Sequence, residues 1–209
     1  MIKELFESSF FINHPKRDCL NINFIEHPYK GIFSLIDEMA CEGCKLICSP
    51  NVEDRKQLQV SSKSDVYVMK LDQVFNILNK AGENCDFMMD DSVIMALVEM
   101  TCSKSEYVVS KRQKAIGQLY NTLQTICVNK DVKDHIDREK ARFVIFSWKD
   151  TSLNPPNDAA EESMIVMTEM SDEIYSIDNV SKFDFGFKFK EIRFPDTLNW
   201  ESLLNVRSV

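Results

Sequence analysis

The chain has 209 residues, 44% hydrophobic and 28% charged, which is the balance of a folded globular protein and excludes a disordered tail protein. Its formal net charge of −8 argues against a stand-alone nucleic-acid binder that gains affinity by neutralising phosphates, but leaves room for a local basic patch or a metal-bridged contact. The opening MIKELFESSFFINHPKRD carries acids early and lacks a sustained apolar run, and no stretch approaches the length of a membrane span, so a soluble cytoplasmic protein is expected.

Ile32, Phe33, Leu35, Ile36 and Met39 recur at helical spacing and predict a helix over about 30–42, carrying Asp37 and Glu38. In DVYVMKLDQVFNIL (65–78) the opening Val66-Tyr67-Val68-Met69 favours a strand, and the remainder fits either a strand or a short helix. Cys85–Met89 is a short strand, apolar apart from Asp86, and Asp90-Asp91-Ser92 supplies turn chemistry. Val93–Cys102 is apolar on both faces, the mark of a strand inside a covered sheet. Glu99 and Thr101 share the face of Val93, Met95 and Leu97, because strand side chains alternate with period two. A carboxylate on such a strand is costly without a compensating cation, which directs attention to Glu99 and its neighbour Asp86.

From about Glu106 to Val128 the period changes. Val109, Ile116, Leu119, Tyr120, Leu123, Ile126 and Cys127 form the apolar stripe of a helix, with Lys111, Lys114, Gln118 and Thr125 opposite. NKDVKDHIDREK reads as a charged loop leading to the buried strand ARFVIFSW (141–148). TSLNPPNDAAEES (151–163) is the best linker, followed by a short strand at Met164–Thr168 and a strand in FDFGFKFKEIRF (183–194). Residues 1–150 thus form an α/β core with an N-terminal helical segment, and 151–209 a linker and β-rich extension packing on the same domain.

The run Cys85-Asp86-Phe87, a turn, Leu97-Val98-Glu99-Met100-Thr101 and a helix bearing Ala115-Ile116-Gly117-Gln118-Leu119 resembles the PD-(D/E)XK, or restriction-endonuclease-like, nucleases. It is similar in particular to small bacterial members in which a strand ending in Glu-x-Lys precedes a helix with a Gln-Leu pair. The resemblance spans roughly residues 30–148 and is specific over 85–125. It implies an αβββαβ core, a central mixed sheet flanked by helices. It also implies Asp86 and Glu99 as acids holding Mg2+ or Mn2+, the Met100 carbonyl as a further ligand, and Gln118 as the helix glutamine facing the site. Glu38 would match the acid that some members carry on the first helix. The family lysine, which orients the attacking water, is Thr101 here, and threonine offers only a neutral hydroxyl. Lys104, just past the strand, or Lys114, one helical turn before Gln118 and on the flank of Lys111, would supply the missing cation.

The seven cysteines (Cys19, Cys41, Cys44, Cys48, Cys85, Cys102 and Cys127) are odd in number and several lie in apolar elements, so reduced thiols are expected. Cys41-x-x-Cys44-x-x-x-Cys48 has part of a zinc spacing, for which Cys19, His27 or another remote residue would have to complete the set. The alternating Phe183, Phe185, Phe187 and Phe189 read as core or dimer packing ahead of base stacking. His14, His27 and His135 are scattered, and none has a partner at catalytic spacing. Two functions remain in view from the fold family: a metal-dependent nuclease, with DNA as the expected polymer and bacterial defence as the setting, beside a larger partner or as a homodimer; or a catalytically silent member acting as a binding or assembly subunit. An unrelated α/β interaction protein is the third.

Overall fold

The computed structural model describes residues 2–10, 28–37, 44–47, 56–72, 75, 84–139, 141–150 and 186–205. The N-terminus forms a short helix α1 (Ile2–Leu5) running into a π-helical turn at Phe6–Phe10. Eight strands follow in chain order with the helices between them: β1 (Tyr29–Asp37), β2 (Cys44–Ile47), β3 (Lys56–Lys70), β4 (Phe87–Asp90), β5 (Ile94–Ser103), then α2 (Val108–Cys127) and α3 (Lys130–Ile136), and β6 (Ala141–Asp150), β7 (Lys188–Arg193) and β8 (Thr197–Asn199). The sheet order is β2-β1-β3-β4-β5-β6-β7, with β8 pairing β3 in parallel. The protein is thus α/β with a mixed sheet.

The pair β4–β5 is antiparallel and joined by a tight turn, whereas β5 and β6 are parallel and need the crossover that α2 and α3 provide. Asp90 Oδ1 accepts from Ser92 N at 2.7 Å, and Asp91 Oδ1 accepts from Val93 N and Ile94 N at 2.9 and 2.7 Å. These bonds hold Ser92 at its positive φ of 68°, a conformation serine seldom adopts without local support. The acids expected to make the turn do so.

Two apolar cores lie on the two faces of β4–β6. On one face Met88, Met95, Leu97 and Val144 pack under Leu119, Leu123 and Ile126 of α2 and Val132 and Ile136 of α3. On the other, Phe87, Met89, Ala96, Val98 and Ile145 meet Phe33 and Leu35 of β1, Leu58 and Val60 of β3, and Trp200. The 15-residue β3 makes this possible: its first part pairs with β1, its last four residues with β4. Ser147 Oγ on β6 donates to the Gln57 carbonyl of β3 at 3.2 Å, so the start of β3 folds back over β6. Among the described residues, then, helices cover one face and strands the other.

Three expectations are corrected. The helix over 30–42 is strand β1 through residue 37: Phe33 and Leu35 are buried, Ile32 is 61% exposed, and Gly31, at φ 85°, marks a register shift against β3 that only glycine makes without strain. Residues 38–42 lie outside the described set. The charged loop contains helix α3, capped by Asn129, whose Oδ1 accepts from Val132 N. The buried face of α2 is Val108, Arg112, Ala115, Leu119, Thr122, Leu123 and Ile126, while Val109 and Tyr120 are exposed. In 65–78 the strand continues to Lys70 and turns helical at Leu71-Asp72. The linker 151–163, the strand at 164–168, Phe183 and Phe185 fall outside the described residues. Phe187 packs in the helix-side core and Phe189 against it, and β7 extends the sheet beside β6.

Candidate functional site

Register brings the two predicted acids together. Phe87 pairs with Val98, which sets Asp86 opposite Glu99 one residue further along. Both side chains belong to the face under α2, that of Met88 and Leu97, and both residues are buried, at 9% and 7% exposure. Across β6 and β7 the same row continues through Phe146 to Glu191. Arg112 of α2 clamps Glu191 with two bonds of 2.6 and 2.8 Å, so the row holds three carboxylates and one helix-borne guanidinium.

Asp86 Oδ2 accepts from Met100 N at 2.8 Å. In a strand the N–H and C=O of one residue point to the same edge. The Met100 carbonyl therefore faces the Asp86 side too, where Asp86, by capping the amide, ends the ladder. Two buried carboxylates and a strand carbonyl are a hard oxygen donor set, the kind that suits Mg2+ or Mn2+. The residues fit the ion the resemblance implies.

The segment before Asp86 is pinned by α2. Gln118 Nε2 donates to the Asn84 carbonyl at 3.2 Å. Thr122 Oγ1 accepts from Cys85 N at 2.9 Å and donates to the Gln118 carbonyl at 2.8 Å. Gln118 thus lies beside the segment that leads into Asp86, with its amide holding backbone. Burial pushes the Cys85 thiol well above its ordinary range, Thr122 opposes this, and the charges of Glu99 and Asp86 push it further up.

The lysines are not drawn in. Lys104, Lys111 and Lys114 are all exposed. Thr101 is buried on the Glu99 face, level with Trp148 of β6. The buried lysines among the described residues, Lys70 and Lys149, belong by register to the opposite face, level with Phe87 and Cys102. Glu38, Cys19, Cys41, Cys48, His14 and His27 lie outside the described residues, and of Cys44 only its strand backbone is described. Cys85, Cys102 and Cys127 form no disulfide.

A second cluster was missed from sequence. His135 Nε2 is 3.2 Å from Asp90 Oδ2 and 3.6 Å from Glu139 Oε1. Burial, then the charge of Asp90, pushes the Glu139 carboxyl up to about 7, with His135 pulling the other way. Its Oε2 is buried without a hydrogen-bond partner, a state that ordinarily costs about 1–3 kcal/mol. The one local signal was the four-residue spacing of His135 and Glu139. Asp90 is 45 positions away from His135 and joins them only through the fold.

No family model, curated protein or solved structure matches the chain. No described helix is long and apolar enough to cross a membrane.

Proposed function

We propose that this protein is a divalent-cation-dependent phosphodiester hydrolase acting on nucleic acid, with β3–β4–β5–α2–β6 as a restriction-endonuclease-like core. DNA is the polymer and bacterial defence the setting that the resemblance implies, with a larger partner or a second copy bringing the substrate. The observation that carries the reading is the opposition of Asp86 and Glu99, buried on adjacent strands under α2. Asp86, Glu99 and the Met100 carbonyl would hold Mg2+ or Mn2+, which when bound stabilises charge on a phosphoryl oxygen and acidifies a coordinated water.

The chain's own residues do the positioning. Gln118 and Thr122 fix the backbone at 84–85 and with it the approach of Asp86. The Met100 amide orients the Asp86 carboxylate. Lys114 or Lys104, both exposed and not drawn toward the acids here, would have to turn inward on substrate to supply the positive charge that position 101 lacks. Helix α2 contains no acidic residue and carries the exposed Lys111 and Lys114 in its first half, a local basic stretch suited to a phosphate backbone on an otherwise acidic protein.

A catalytically silent binding or assembly subunit is the second reading, favoured by Thr101 at the lysine position and by the exposure of Lys104, Lys111 and Lys114. Cleavage of labelled DNA and RNA with Mg2+ or Mn2+, wild type against Glu99→Ala, separates the two. The hydrolase reading predicts metal-dependent cleavage by wild type that the variant lacks. Cleavage surviving in Glu99→Ala removes Asp86 and Glu99 as the site, and a wild type inert on every polymer selects the silent subunit.

A further inference from the structure

We infer that Asp90, His135 and Glu139 bind one divalent transition-metal ion of the Mn2+ to Zn2+ series, which fastens the end of α3 to the β4–β5 hairpin. The site is independent of the one proposed above. Asp90 lies four residues beyond Asp86 along the chain, roughly 13 Å at the rise of a strand.

One donor atom from each of the three side chains lies within 4.8 Å of the other two. His135 Nε2 stands 3.2 Å from Asp90 Oδ2 and 3.6 Å from Glu139 Oε1. Ligands bound at about 2.0–2.1 Å in a tetrahedral shell stand roughly 3.3–3.4 Å apart, so these two edges are already within a few tenths of an ångström of a coordinated triangle.

Glu139 supplies the independent observation. It is 6% exposed, and Oε2 is buried with no hydrogen-bond partner. The His135 contact accounts for Asp90 Oδ2 and lies near one oxygen of Glu139, but leaves Glu139 Oε2 buried without a partner. A dication held by the three side chains would supply one. The imidazole nitrogen in the donor set favours the Mn2+ to Zn2+ series over Mg2+ or Ca2+. Ser92 N holds the far oxygen of Asp90 at 2.7 Å, which presents Oδ2 to His135, the supporting contact that metal-binding carboxylates commonly have. Three protein ligands leave one tetrahedral position for water.

Titration of metal-free protein with Co2+, read by visible absorption, tests the site. The expected result is one equivalent of an intense four-coordinate band without thiolate charge transfer, abolished in His135→Gln, weakened at least tenfold in affinity in Glu139→Gln, and retained in Asp86→Asn. An oxygen-only site at Asp86 and Glu99 would bind Co2+ in a six-coordinate, weakly absorbing form, so loss of one site leaves the other readable. Because His135→Gln could disturb folding, the wild type is also followed by 15N imidazole NMR on adding Zn2+, where the His135 Nε2 resonance is expected to shift as a bound ligand. No band in the wild type, a band that survives His135→Gln, or an unmoved His135 resonance overturns the inference.

Discussion

One hydroxyl, that of Thr122, both closes onto its own helix at the Gln118 carbonyl and receives the amide of Cys85, the residue directly after Asn84, whose carbonyl Gln118 itself holds. Thr122→Val keeps the volume and removes the acceptor, leaving a buried N–H without a partner. The expected loss is about 1–3 kcal/mol of stability, measured by urea unfolding, while Thr122→Ser stays close to wild type; a neutral Thr122→Val would show that the helix does not pin this segment. Burial raises the neighbouring Cys85 thiol well above its usual range and, with smaller charge effects, the Cys127 thiol to about 11. Since the thiolate is the nucleophile, both should resist alkylation at pH 8 in the native protein and react only on unfolding, as read by site-resolved mass spectrometry. Rapid native modification of Cys85 would contradict the packing described. At this scale Asp86 and Glu99 were legible, because a charge in an apolar strand declares itself. Asp90, His135 and Glu139 were not, because their grouping depends on where α3 docks.

At the scale of elements, Glu201 ties the C-terminal turn to β3, its Oε1 accepting from Lys63 N at 2.6 Å, Ser62 Oγ at 3.2 Å and Ser64 N at 3.3 Å. Burial alone would raise its pKa, but the Lys63 amide and the other donors outweigh it and the carboxyl sits below its usual 4.5. A lowered folded value means the contribution is present above the ordinary carboxylate range and is lost as pH falls through the lowered value. Glu201→Gln should therefore destabilise by a few tenths to about 1 kcal/mol at pH 7, modest because the group is partly solvated, with the difference from wild type vanishing as pH falls through the lowered folded value. Thermal melts across pH check this; a gap that widens in acid would contradict it. The hairpin, β5, α2 and β6 were readable because each carries a long, unmixed period. Strand β1 was not: Ile32, Phe33, Leu35 and Ile36 fit a helix or a strand buried on both sides, and only pairing with β2 and β3 decides it. The stripe on α2 was read a fraction of a turn off because Arg112 and Thr122, polar by type, are buried by their bonds to Glu191 and Cys85.

For the whole molecule, the fold-back of β3 is the least local feature, joining β1 and β8 to β4 through one 15-residue strand and closing the second core with Trp200, whose Nε1 donates to Asp91 Oδ2 at 2.8 Å. Nothing in a strand's own alternation reports such a bend, which is why the strand-strand-helix-strand order was visible and the strand layer over its far face was not. In the proposed reading the side under α2, where Asp86 and Glu99 lie buried, would carry the chemistry. Single-turnover cleavage of labelled DNA with Mg2+ or Mn2+, comparing wild type with Asp86→Asn and Glu99→Gln of matched thermal stability, tests it most directly. The predicted result is a loss of at least about 100-fold in each variant, as expected when a transition-state charge loses its stabilisation; a rate unchanged in Glu99→Gln would contradict it.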